Sequence, residues 1–129
     1  MLMSAAALIL VGASLFCGCD SGVEWRDKEY EVGWIDTPEN RSLYLSLDRG
    51  GGIGRVSPEV VAVGSDDKYI VAKQKSPVTG ELSYYIVDRR KDDSLLNGNE
   101  IAEGPFTSAE FDALKRRRHL PELSAIFGE

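Results

Sequence analysis

The chain has 129 residues, with 15 Lys and Arg against 21 Asp and Glu and a formal net charge of −6. That length fits one ordinary domain, and 43% hydrophobic residues suffice for a packed core rather than a disordered stalk. The acidic balance argues against a nucleic-acid partner and against broad adhesion to anionic lipid, both of which call for a basic face.

Residues 1–16, MLMSAAALILVGASLF, carry no charged side chain. They fall short of the ~20 apolar residues that span a hydrocarbon core, and polarity changes abruptly at Asp20. A short apolar run ending in small residues reads as a secretory signal peptide, although no Lys or Arg precedes it. Phe16-Cys17-Gly18-Cys19, at the end of this run, resembles the lipobox of bacterial lipoproteins. Cys19 fits that pattern better than Cys17, because the small Gly18 precedes it. The resemblance implies removal of residues 1–18 as signal peptide and acylation of Cys19, which becomes the new amino terminus. Each buried methylene contributes about 0.8 kcal/mol, so two or more acyl chains anchor firmly where one does not. An ordinary signal peptide or an uncleaved anchor with incidental cysteines are the alternatives. With Cys17 removed and Cys19 acylated, no free thiol remains for disulfides, redox chemistry or thiolate metal sites. The expected location is the cell envelope, on a membrane and outside the cytoplasm. Asp20 resembles the inner-membrane retention signal of enterobacterial lipoproteins.

Residues 19–28 read as a lipid-anchored tether, and residues 29–129 as a single globular domain. From Tyr30 onward the apolar period is two. Tyr30, Val32 and Trp34 share one face of a strand, and Leu43, Leu45 and Leu47 share one face of the next, with Ser42, Tyr44 and Ser46 opposite. Residues 36–40, DTPEN, supply a turn. Three further strands are expected at about 60–63, 69–75 and 82–88. The short polar links between them suit antiparallel hairpins rather than crossovers. Residues 89–104 read as a mobile loop around Leu95-Leu96. Thr107-Ser108-Ala109-Glu110 then forms a capping box, flanked by a Phe106–Phe111 staple, and opens a helix that stops at Leu120-Pro121. The expected class is α+β: an antiparallel meander of about five strands with a C-terminal helix on one face. A small β-barrel with a helical lid is the alternative.

Candidate chemistry is sparse. Arg49-Gly50-Gly51-Gly52-Ile53-Gly54-Arg55 is glycine-rich like a phosphate loop, but Val56-Ser57-Pro58 does not open a helix. A flexible strand connection is expected there, with an anion held by Arg49 and Arg55 as the functional alternative. Lys115-Arg116-Arg117-Arg118 falls at the end of the helix, where the macrodipole favours cations by about 0.3–1 kcal/mol each. Arg116 and Arg117 are therefore candidates for an acidic partner or lipid headgroups, weighed against simple helix-end placement. His119 is the sole histidine, so usual zinc sites are not expected and a catalytic triad lacks a supporting motif. The carboxylates Asp66, Asp67, Asp88, Asp92 and Asp93 lack calcium-loop spacing and read as turn residues. Tyr44 and Tyr85 lie opposite the strands' leucine-type faces, which makes them candidate partner contacts.

The stretches "YEVGWIDTPENRSLYL", "VSPEVVAVGSDDKYIVAKQ", "YYIVD" and "GPFTSAEFDALKRRRHLP" resemble a family of small bacterial lipoproteins carrying a domain of unknown function. The resemblance covers residues 30–127 or so and implies an anchored extracytoplasmic domain, without assigning any residue a role. The expected function is a lipid-anchored binding or assembly module that recognises an envelope protein or toxin, with no cofactor, metal or nucleic acid. A small envelope hydrolase or transferase, or a small-molecule sensor or carrier, are the alternatives.

Overall fold

A computed structural model of the chain describes residues 21–48, 50–93 and 96–127. The signal peptide, Cys17, Cys19, Asp20 and Arg49 lie outside the described residues, so the cleavage and lipidation expectations do too. Among the described residues no helix is long and apolar enough to cross a membrane.

The period-two pattern becomes two antiparallel sheets. The first is a four-stranded meander of β1 (Ser21–Asp27), β2 (Tyr30–Ile35), β3 (Ser42–Ser46) and β4 (Gly52–Val56), in that order. The second contains β5 (Val60–Ser65), β6 (Tyr69–Lys75), β7 (Leu82–Asp88), β8 (Ala102–Phe106) and the two-residue β9 (Ala125–Ile126), ordered β8-β7-β6-β5-β9. A short helix α1 (Gly98–Ile101) precedes β8, and α2 (Ser108–Arg118) follows it. Both sheets are open, so the α+β expectation holds and the barrel alternative does not.

The expected strands at 60–63, 69–75 and 82–88 are all present as a three-stranded meander. Three segments read as irregular fold instead. The tether is β1 across residues 21–27, paired with β2 and interrupted by a bulge between Val23 and Trp25. Its Trp25 packs against the main core, a long-range contact that a local pattern does not announce. The glycine run is a hairpin: Gly50 and Gly51 turn at φ 90° and 77°, and Gly52–Val56 pairs with β3. Such positive φ values suit glycine, which carries no Cβ to clash. The loop at 89–104 holds α1 and the start of β8, with Leu96 packed on the core.

Burial explains the layering. Tyr30, Val32, Leu43, Leu45 and Val56 of the first sheet meet Val60, Val63, Ile70, Ala72 and Val87 of the second. On the other side of the second sheet, Tyr69, Val71 and Ile86 pack against Phe111 and Leu120. Alternate residues of β6 thus serve opposite layers, which is why YIVA is apolar throughout. Each fully buried Val, Leu or Ile contributes about 1.5–3 kcal/mol.

The helix obeys its sequence signals. Thr107 accepts from the Glu110 amide at 3.1 Å, and Glu110 accepts from the Thr107 amide at 2.8 Å. Phe111 is the helix's buried anchor, stacked on Tyr84 with ring centroids 4.9 Å apart. His119 ends the helix in the left-handed region at φ 54°.

Three ionic clips tie the layers and loops. Arg55, with its side chain fully buried, grips Asp92 through Nε (2.9 Å) and Nη2 (2.7 Å). Tyr30 donates to the same carboxylate at 2.6 Å, and burial together with that bond raises its pKa. Arg41 bridges Glu24 and Glu59, joining β1 to the entry of β5. Asp27 accepts from Ser65 at 2.5 Å and from Arg89 at 2.7 Å, joining the first sheet to the second.

Candidate functional site

Alternation in the first sheet sends one set of residues inward and leaves the other outside. The outward set includes Glu31, Gly33, Ser42, Tyr44, Ser46, Gly52 and Gly54, and these border a groove of about 870 Å³. Trp34 and Ile35 at the end of β2, and Gly50 and Gly51 in the far hairpin, extend the groove along the sheet. Three outward positions lack side chains, so the surface sinks between the strands.

Tyr44 occupies the middle of this floor. Its hydroxyl donates to Glu31 Oε1 at 2.8 Å, and Arg26 pairs with Glu31 Oε2 at 2.5 Å. Burial first, and then the Glu31 hydrogen bond, push the phenol pKa up to about 12. The ring therefore stays a neutral donor across physiological pH. Gly33 and Gly52 permit its placement. A Cβ on Gly33 would stand 2.9 Å from the Tyr44 hydroxyl, and one on Gly52 would strike the ring itself. The aromatic ring is thereby laid across two neighbouring strands and held by an ion pair. An aromatic surface, hydroxyls and one carboxylate paired with Arg26 line this open trough.

A second, shallower depression of about 430 Å³ lies at the end of α2, between Asp112, Lys115, Arg116, His119, Leu120 and Glu122. Lys115 pairs there with Glu122 at 2.5 Å. His119 is exposed, its residue acts as the helix C-cap, and no hydrogen bond joins its ring to a described serine or carboxylate.

The structure separates the residues that sequence alone grouped as candidates. Tyr44 lies in the groove. Tyr85 is half-buried against the inter-sheet core, while its neighbour Tyr84 takes the helix side, so most of the Tyr85 ring is committed to packing. The donors of Arg55 are taken by Asp92 and by the carbonyls of Gly54, Asp93 and Leu96. Arg116 and Arg117 are exposed, whereas Arg118 is held by both oxygens of Glu103 (2.9 and 3.0 Å) and lies over Tyr69. The Arg118 guanidinium is the leading cause of a lowered Tyr69 pKa.

The carboxylates also find structural work. Asp66 accepts from the amides of Lys68 and Tyr69 at 2.8 Å, closing the β5–β6 turn. Asp88 is held by Arg90 through paired bonds of 2.9 Å, and Asp92 serves Arg55. Among the described residues no three His, Cys, Asp or Glu side chains gather as a metal site.

Sequence reasoning missed Glu31, Arg26 and the floor glycines as parts of one site. The signal was present in YEVGWI, where Glu31 and Gly33 fall opposite Tyr30 and Val32. Comparison with protein-family models, curated proteins and solved structures finds no match for the chain.

Proposed function

We propose that this chain is a lipid-anchored binding module of the bacterial envelope, and that it engages an envelope protein through the open face of its four-stranded sheet. The observation that carries the reading is the prearranged Tyr44 floor. Elsewhere, both faces of the second sheet are covered, one by the first sheet and one by α2. Among the described residues, the outer face of the first sheet combines an aromatic ring, floor glycines and serine hydroxyls in one open groove, which are the ingredients of an interface centre. Its ring is already fixed by Glu31, so little side-chain freedom is lost on binding.

The anchoring half of the proposal rests on the lipobox-like Phe16-Cys17-Gly18-Cys19. β1 starts two residues after Cys19, which sets the domain close to the membrane without a long stalk. Binding rather than catalysis is favoured by His119, which faces solvent away from the groove.

The test combines location with recognition. The native protein is expected in the membrane fraction, and Cys19→Ala in the soluble fraction or accumulated as precursor. Tyr44→Ala is expected to stay membrane-bound and folded while losing a partner that the native protein recovers from detergent-solubilised membranes. Mature membrane attachment of Cys19→Ala defeats the anchor, and undiminished recovery by Tyr44→Ala defeats the binding face.

A further inference from the structure

Strand register assigns the molecule two ends. At the near end Ser21 pairs with Ile35, Ser42 with Gly33, and Lys75 with Leu82. The sheets meet at this end, where the Val60 amide donates to the Arg41 carbonyl at 2.9 Å and Glu59 exchanges backbone bonds with Lys75. At the far end Asp27 meets Ser65 and Arg89, and the turn at 66–68 is closed by Asp66.

Exposed apolar side chains are divided unevenly between these ends. Ile35 is 67% exposed and Val78, in the β6–β7 hairpin, 90% exposed, both at the near end. Leu82 (48%) begins β7 at this end, and Val23 (51%) lies on β1 two residues in from Ser21. Of the other two exposed large apolar residues, Leu47 follows β3 at the far end and Ile126 pairs beside the middle of β5. The far end carries the charged residues Asp66, Asp67, Lys68, Arg89, Arg90 and Lys91, and the near end carries Asp36, Glu39, Lys75 and Glu81.

The chain also enters at the near end. Ser21 begins β1 there, and only Asp20 separates it from Cys19. At ~3.3–3.6 Å per extended residue, a lipid on Cys19 lies within two residues' reach of Ile35's partner strand. Isolated exposed apolar residues need no explanation, but the two most exposed, Ile35 and Val78, both lie at the end where the chain meets its anchor.

We infer that the near end of the domain rests on the lipid surface, with Ile35 and the Val78 hairpin as its contacts. This inference depends on the anchored reading above. Asp36, Glu39 and Glu81 are exposed at the near end and outnumber the exposed cation Lys75 there, so the surface that suits it carries neutral, zwitterionic headgroups. The charged far end then points away from the membrane. The groove runs from Ile35 at the near end to Gly50 at the far end, so its Ile35 end meets the lipid while the stretch around Tyr44, Ser46 and Gly50 opens sideways along the domain.

The test uses the full, lipidated chain reconstituted into phosphatidylcholine vesicles whose acyl chains carry bromine as a quencher. An environment-sensitive fluorophore is attached through Ile35→Cys, Val78→Cys or, as the far-end reference, Asp67→Cys. Wild-type protein reports any labelling of the native cysteines. All three positions are exposed, so the substitutions leave the core intact.

The expected result is blue-shifted emission and a marked loss of intensity on brominated lipid from positions 35 and 78, with position 67 unchanged from water. Unquenched emission from all three positions in vesicle-bound protein overturns the seated orientation and leaves the anchor standing. Quenching at 67 in preference to 35 and 78 overturns it equally. Failure of the wild-type chain to remain with vesicles overturns the anchor and this inference together.

Discussion

The two sheets of this protein are built from the same alternating pattern yet differ in how much of themselves they hide. The second sheet is covered on both faces, by the first sheet and by α2, and its strands accordingly read VVAVGS and YIVA. Among the described residues the first is covered on one face only, and its strands alternate clearly, as in SLYLS. The difference teaches where each property resides. Burial is concentrated around the middle layer, and among the described residues the outer face of the first sheet is uncovered and carries glycines, serines and a braced tyrosine that lie outside the core.

That contrast can be broken from the inside or sharpened from the outside. The largest effect is expected from Asp92→Asn, which strands the fully buried Arg55 charge. Breaking such a pair costs about 3–5 kcal/mol, measurable as a lowered midpoint in urea denaturation. Ile70→Ala, at a fully buried position of the middle layer, is expected to cost about 2–5 kcal/mol in the same measurement. An effect of that size from an outward position such as Ser46 would erase the distinction between the layers.

On the helix side, Thr107→Ala removes the acceptor of the capping box and is expected to lower stability by about 0.5–2 kcal/mol. Thermal melting followed by helical circular dichroism reads it directly.

A smaller, pH-dependent contribution comes from Asp27, which the Ser65 hydroxyl, followed by Arg89, holds below its ordinary pKa. A depressed folded value means that the stabilisation is complete above the unfolded carboxylate value of about 3.9 and is lost as pH falls through the folded value. Asp88, lowered chiefly by Arg90, behaves in the same sense. Melting temperature measured from pH 7 down to pH 2 should fall at the acid end, and Asp27→Asn should flatten part of that fall. An unchanged profile for Asp27→Asn removes this clip from the account. The smallest effect is expected on the open face, where Ser46→Ala should shift stability by no more than about 0.5 kcal/mol.

Legibility in the sequence follows the same division. β6, β7 and α2 were readable because their signals are local: alternation within a strand, short polar turns between strands, and a capping box before an apolar anchor. β1 and β4 were not, because their stability is supplied by partners elsewhere in the chain. Trp25 needs the inter-sheet core, and Gly52–Val56 needs β3 and the Arg55–Asp92 clip. Arg55 looked available because the sequence does not show that Asp92, 37 residues later, returns to it. Tyr44 was legible as a face residue from SLYLS alone, but the groove around it was not. Its floor depends on Gly33 and Gly52 coming together from different strands beneath one ring.

The central claim is that the uncovered face of the first sheet is the binding surface, and position-specific photo-cross-linking in intact cells tests it most directly. A photoreactive amino acid would replace Ser46, in the groove, or Ala113, on the exposed side of α2, in the full-length chain. The account predicts a discrete cross-linked protein from position 46 that position 113 does not form. A cross-linked partner from position 113 with none from position 46 would contradict it.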